Sequence, residues 1–133
     1  MNASTSRNRA RPMAPHLQVW RWGPAMAVSI LHRASGEGMA WVGIPVFLWF
    51  LYALSAGPEA WVTFSRHAGE WYGQIVLIGL SWAFFQHLSS GLRHFVLDVG
   101  AGYELDTNTM WSWIVPAIGI VLTVLFWAAI YLR

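Results

Sequence analysis

Three stretches of this chain contain no Asp, Glu, Lys or Arg at all: Gly38–Pro58, Trp71–Leu92 and Thr107–Leu132, of 21, 22 and 26 residues. A hydrocarbon core of ~30 Å is crossed by about 20 helical residues rising ~1.5 Å each, so every stretch is long enough to span a bilayer. Only 11% of the residues are charged, against roughly 25% in soluble domains, and 56% are hydrophobic, which leaves too few charges for a water-facing surface. The expectation is an all-α integral membrane protein: a cytoplasmic tail over 1–22, then a three-helix transmembrane domain over 23–133 with spans at about 25–57, 71–97 and 107–132.

Orientation follows from basic residues, which stay on the cytoplasmic side. The first flank holds Arg7, Arg9, Arg11, Arg21 and Arg33 with no acidic residue before Glu37. That places the N-terminus inside, the 59–70 connection outside and the 93–106 connection inside. No apolar run follows the basic tail before Ala25, unlike a secretory signal. Met1–Arg11 has the Arg and Ser of a mitochondrial transit peptide but is too short to weigh heavily; the expected location is a bacterial inner membrane rather than a mitochondrial one. With no cysteine in the chain, any redox centre is held noncovalently, without thiolate, cluster or CxxCH attachment. All eight basic residues are Arg and the net charge is only +2, which does not describe a nucleic-acid surface.

Six of the ten Trp (20, 22, 61, 71, 111 and 113) fall near span ends, where indole rings favour the headgroup layer. Trp41, Trp49, Trp82 and Trp127 lie deeper and are read as filling between helices rather than as a wall for a flat cofactor. There is no internal repeat of the kind that builds duplicated transporters.

The informative residues are those a lipid-facing helix excludes. An ionisable group inside a span faces the protein interior and has a partner there. His87 lies six residues before Arg93, about 9 Å of helical rise inside the second charge-free stretch. His87, Gly91, His94 and Asp98 follow at i, i+4, i+7 and i+11, so a continuous helix puts them on one face. A flat ligand lying against Gly91 would bring its metal to His87. The alternative is a structural imidazole bonded between helices, to Ser81, Ser89 or a partner chain. Neutral imidazole is a usual axial ligand of haem iron. The first and third charge-free stretches contain no His, so a haem coordinated on both faces needs its second imidazole from another polypeptide.

A second constellation is Ser29-Ile30-Leu31-His32-Arg33-Ala34-Ser35-Gly36, leading into the first span. Ser29 and Arg33 share a helical face at i, i+4. Arg33 presents a fork of donors suited to a carboxylate, phosphate or carbonyl oxygen, or it snorkels to lipid phosphates. Glu37, a further four residues on, is placed to pair with Arg33. His16 is read as structural or as a partner contact, and His67, in the 59–70 connection, as a solvated loop residue.

Together these stretches resemble the cytochrome b556 subunit family of succinate dehydrogenase (complex II). Arg11-Pro12-Met13, Leu17, Pro24 and then Ser29-x-x-His32-Arg33-x-Ser35-Gly36 match its N-terminal pattern, and His87-x-x-x-Gly91-x-Arg93-His94 followed by Asp98-x-Gly100 matches its second run. Leu97 and Glu37 depart from that pattern, where the family has an aromatic or Met and apolar residues. The resemblance implies half of a two-subunit haem-binding helix bundle: His87 an axial ligand of haem b, with the other ligand from a sister anchor subunit, and Ser29 and Arg33 at a ubiquinone site. It implies further that His32 and Arg33 lie near the haem propionates, with His94 and Arg93 in the same inner polar layer. An iron–sulfur subunit and a flavoprotein subunit would dock on the inner side. Having no flavin or cluster ligands of its own, the chain is not expected to oxidise succinate itself. The rival readings are the anchor subunit of a quinol:fumarate reductase and, from another class, a small proton-coupled transporter with His87 as its proton site.

Overall fold

The structure, a computed structural model, describes residues 21–133. Of the 1–22 tail, only Arg21 and Trp22 are therefore described; Arg7, Arg9, Arg11-Pro12-Met13, His16, Leu17 and Trp20 lie outside the described residues.

Every regular element among the described residues is helical. Helix α1 (Pro24–Gly38) runs through a π-helical segment (Met39–Gly43) into α2 (Ile44–Ser55). Helix α3 spans Pro58–Gly69, α4 Trp71–Asp98 and α5 Leu105–Tyr131. Three helical stretches are long and apolar enough to cross a membrane: Pro24–Ser55, Trp71–Asp98 and Leu105–Tyr131, of 32, 28 and 27 residues. At ~1.5 Å per residue even the shortest is about 40 Å long, so each reaches beyond the hydrocarbon layer. That surplus is what carries Ser29, His32 and Arg33 on the same rod as the apolar residues after Gly38.

The π segment has an identifiable cause. Pro45 offers no N–H to the carbonyl of Trp41, and in a regular α-helix its ring would collide with that carbonyl. The backbone widens instead, and the Ile44 N–H donates to the Met39 carbonyl five residues back.

Helix α4 packs on both α5 and α1, and α1 also touches α5. Small and hydroxylated side chains fill these seams: Ser35, Ala83, Ser89, Ser90, Ser112, Val115 and Thr123 are buried. The hydroxyls of Ser90, Ser112 and Thr123 each donate to the carbonyl four residues earlier, at 2.8, 2.6 and 2.7 Å. Small residues let apolar helices approach where lipid offers no hydrophobic drive for association. Gly119 marks the tightest point, since a Cβ there would lie 2.8 Å from Gln86 Oε1 and 3.1 Å from its Cα. The large apolar side chains, such as Phe47, Leu51, Ile75, Val124 and Leu125, face outward.

Two expectations change here. The 59–70 connection is largely helix: α3 opens with Pro58 and Glu59 and closes with Arg66 and His67, charges that suit its dipole. Phe64, buried, packs against Trp49, Phe50 and Trp61 with ring centroids 5.1, 5.6 and 6.0 Å away. His67 is thus no solvated loop residue; its Nδ1 lies 2.6 Å from the Tyr72 hydroxyl and its ring 5.7 Å from Trp49. Nor does Trp41 fill a gap between helices of this chain, being 81% exposed, whereas Trp49 and Trp127 pack on neighbouring rings.

Candidate functional site

Where α1 crosses α4, each helix turns its polar stripe toward the other. Three imidazoles meet there. The ring of His32 lies between those of His87 and His94, with centroids 4.0 and 4.7 Å apart and interplanar angles of 11° and 25°. The i, i+4, i+7 spacing on α4 delivers His87 and His94 to one face, and α1 inserts His32 between them. This alters one expectation. The space at Gly91 receives a ring of the chain itself, because His32 Cε1 comes within 3.9 Å of where a Gly91 Cβ would stand. The opposing glycine, Gly36, backs His87 more tightly: a Cβ there would lie 2.9 Å from His87 Cε1 and 3.3 Å from Nδ1.

Donor and acceptor logic places a proton on Nδ1 of both His87 and His94. His87 Nδ1 faces the carbonyl of His32 at 3.0 Å, and a carbonyl only accepts, so Nδ1 carries the proton. His94 Nδ1 faces the Ser90 carbonyl at 2.7 Å and is protonated for the same reason. His32 Nδ1 shares a hydrogen bond of 2.7 Å with the Ser90 hydroxyl, which also lies 2.8 Å from the Gln86 carbonyl. No Nε2 of the three makes a hydrogen bond among the described residues. The partners of His87 are Ser35 and the His32 carbonyl, not Ser81 or Ser89; Ser81 donates to its own helix at the Leu77 carbonyl.

The other sequence candidates lie around this cluster. Ser29 is half-buried and Arg33 exposed, and among the described residues neither hydrogen-bonds within the chain. The Arg33–Glu37 ion pair does not form; both side chains are exposed. Asp98 ends α4 and is exposed. Arg93 lies at the depth of the imidazoles but turns to the other seam, donating to Asn108 Oδ1 and, at 3.4 Å, to Ser112 Oγ on α5. In the sequence, Asn108 and Ser112 are marked only by their i, i+4 spacing at the start of α5, which signals a polar face. Gln86 lies 0% exposed beside His87, and its amide is without a partner among the described residues.

Residues 7–126 match the succinate dehydrogenase/fumarate reductase transmembrane subunit family. The chain belongs to that family. It is 37% identical over 115 residues to the succinate dehydrogenase cytochrome b556 subunit of Paracoccus denitrificans, covering 86% of this chain and 88% of the relative. The b556 subunit of Rickettsia felis is 31% identical over 117 residues, covering 88% and 90%. The succinate dehydrogenase cytochrome b560 subunit of Reclinomonas americana is 26% identical over 125 residues, covering 90% and 86%. As a transmembrane subunit of a succinate dehydrogenase/fumarate reductase, the chain works within a complex and crosses the membrane several times.

The haem implied by a cytochrome b subunit fits the residues present. An axial imidazole must be neutral, with one nitrogen free and the other held by a hydrogen bond that fixes its tautomer. His87 has its Nδ1 held by a main-chain carbonyl and its Nε2 without a hydrogen bond among the described residues, and Gly36 and the His32 ring brace it.

Proposed function

We propose that this chain is the haem-carrying membrane anchor of a bacterial succinate:ubiquinone oxidoreductase. In this reading it lies in the inner membrane with its N-terminus cytoplasmic, and binds one haem b jointly with a second anchor subunit. An iron–sulfur subunit and a flavoprotein subunit dock on the cytoplasmic side and supply the electrons. The observation that carries the reading is the hydrogen bonding of His87, held at Nδ1 by a main-chain carbonyl and unclaimed at Nε2 among the described residues. Haem b, when bound, supplies reversible one-electron exchange. His87 would hold its iron, while His32 and His94, stacked against one another, and Arg33 would line its inner edge.

Ubiquinone would be met by α1. The Ser29 hydroxyl would donate to one quinone carbonyl, and the Arg33 guanidinium would stabilise the negative charge that grows on the oxygen as it is reduced. Two features support these roles: both side chains sit one turn apart on α1, and neither spends a donor inside the chain among the described residues.

The test is a reduced-minus-oxidised spectrum of the purified complex, taken with its subunit composition. His87→Ala is expected to lose the low-spin haem signal, and His67→Ala, on α3, to keep it. A full haem complement with an unchanged low-spin spectrum in the His87 variant overturns the ligand assignment, and a colourless wild-type complex returns the chain to the transporter reading.

A further inference from the structure

We infer that Ser35 is a positioning residue for the haem ligand, its hydroxyl sharing with the His32 carbonyl the hold on the Nδ1 proton of His87 and so setting how strongly Nε2 donates to iron. The inference rests on the proposal that His87 is the axial ligand.

Ser35 is 2% exposed at the α1/α4 crossing. Its hydroxyl donates to the His32 carbonyl at 2.9 Å, which uses the only proton it has. Toward His87 Nδ1, 3.3 Å away, the Ser35 oxygen is therefore an acceptor. The same Nδ1–H reaches the His32 carbonyl at 3.0 Å. One imidazole proton is thus shared by two acceptors on consecutive parts of a single helical turn.

A serine bonded to a carbonyl three residues back is a common local feature of helices and needs no ligand to explain it. The approach of the hydroxyl to His87 is a separate fact, and it depends on Gly36. Any larger residue there would push the ring away, since a Cβ would stand 3.3 Å from Nδ1. The plane of the ring is held independently by its stack on His32 at 4.0 Å. Removing the hydroxyl therefore leaves the ring in place and takes away one acceptor. Acceptors on the distal N–H push electron density toward the metal-binding nitrogen and raise its basicity. A more basic imidazole favours the oxidised, more positive iron, so loss of the Ser35 oxygen favours the reduced form.

The experiment uses the assembled complex carrying Ser35→Ala, Ser35→Thr or His87→Ala, with haem content, low-spin electron paramagnetic resonance and potentiometric titration of the haem band as readouts. Ser35→Ala is expected to keep haem and to shift the oxidised-to-reduced balance about threefold toward reduction, the scale of a weak neutral hydrogen bond. That is a rise of ~28 mV at 59 mV per tenfold for a one-electron couple. Ser35→Thr, which restores a hydroxyl, is expected to return the potential toward wild type. If Ser35→Ala loses haem and Ser35→Thr regains it, the hydroxyl is again the operative group. Full haem in Ser35→Ala with unmoved potential and resonance overturns the role of Ser35 and leaves the His87 assignment standing, and so does equal loss of haem in the Ala and Thr variants. Full low-spin haem in His87→Ala overturns the ligand assignment instead.

Discussion

The quinone roles proposed for Ser29 and Arg33 are separable from anchoring, because neither residue holds the bundle together through a hydrogen bond among the described residues. Ser29→Ala and Arg33→Leu are expected to assemble normally and to keep succinate oxidation by a water-soluble acceptor that draws electrons upstream of the membrane. Succinate-to-quinone activity should fall. Losing the charge-assisted bond of Arg33 is worth about 1.5–3 kcal/mol, or roughly 10- to 150-fold if felt wholly in the transition state. Losing the neutral Ser29 bond is worth about 0.5–1.5 kcal/mol, or roughly 2- to 10-fold. Glu37→Val should leave quinone activity unchanged, since Glu37 does not engage Arg33. Assembled Ser29 and Arg33 variants that reduce quinone at the wild-type rate would make this pair structural. The positions of His32, His87 and His94 along their helices were legible in the sequence, because ionisable side chains stand out in apolar stretches and helical spacing gives their faces. What they touch was not legible. Nothing local in the sequence says that α1 crosses α4 at Gly36 and Gly91, so the insertion of His32 between two imidazoles and the pairing of Ser35 with His87 came only from the packing.

The seam between α4 and α5 is held differently, by close approach at Gly119 and by the bonds of Arg93 to Asn108 and Ser112. Gly119→Leu would drive a side chain into the Gln86 backbone, whose N would be 3.3 Å from the new Cβ, and backbone gives way less easily than a side chain. Overpacking of this kind costs about 1–3 kcal/mol. The expected result is a lower melting temperature of the complex by size-exclusion thermal assay, with Gly79→Leu, where no atom lies within 4 Å of a Cβ, as the tolerated control. An unshifted melting temperature for Gly119→Leu would mean that the two helices separate freely there. Long apolar helices announce themselves through length and absence of charge. Helix α3 did not, because Glu59, Arg66, His67 and Glu70 give it the composition of a polar connection, while its buried stripe rests on few residues, Phe64 chief among them. The π segment was hidden for another reason: Pro45 signals a disturbed ladder but not which repair the backbone adopts.

Taken as one body, the chain is built with polarity reversed, hydroxyls and an amide inside and large apolar side chains outside. Such an exterior suits lipid and protein neighbours equally, and within the proposed complex part of it faces the sister anchor. The described helices offer His87 as the one proposed axial imidazole, so the isolated chain is expected to lack stable bis-imidazole haem. Coexpression with a His-bearing anchor subunit should restore it, as read by the low-spin absorbance bands. Normal bis-imidazole coordination in the purified single chain would sink the shared-haem proposal. The middle place of α4 in the chain also imposes an order in time. It leaves the ribosome after α1 and before α5, so Ser35 and the imidazoles find their cover at once, whereas Gln86, Arg93 and Ser89 must wait for a helix still to be translated. Until Gly119 and Asn108 arrive, the Gln86 amide lacks its cover and the Arg93 guanidinium its partner. The newborn protein therefore carries these groups uncovered for the interval in which its last helix is being made.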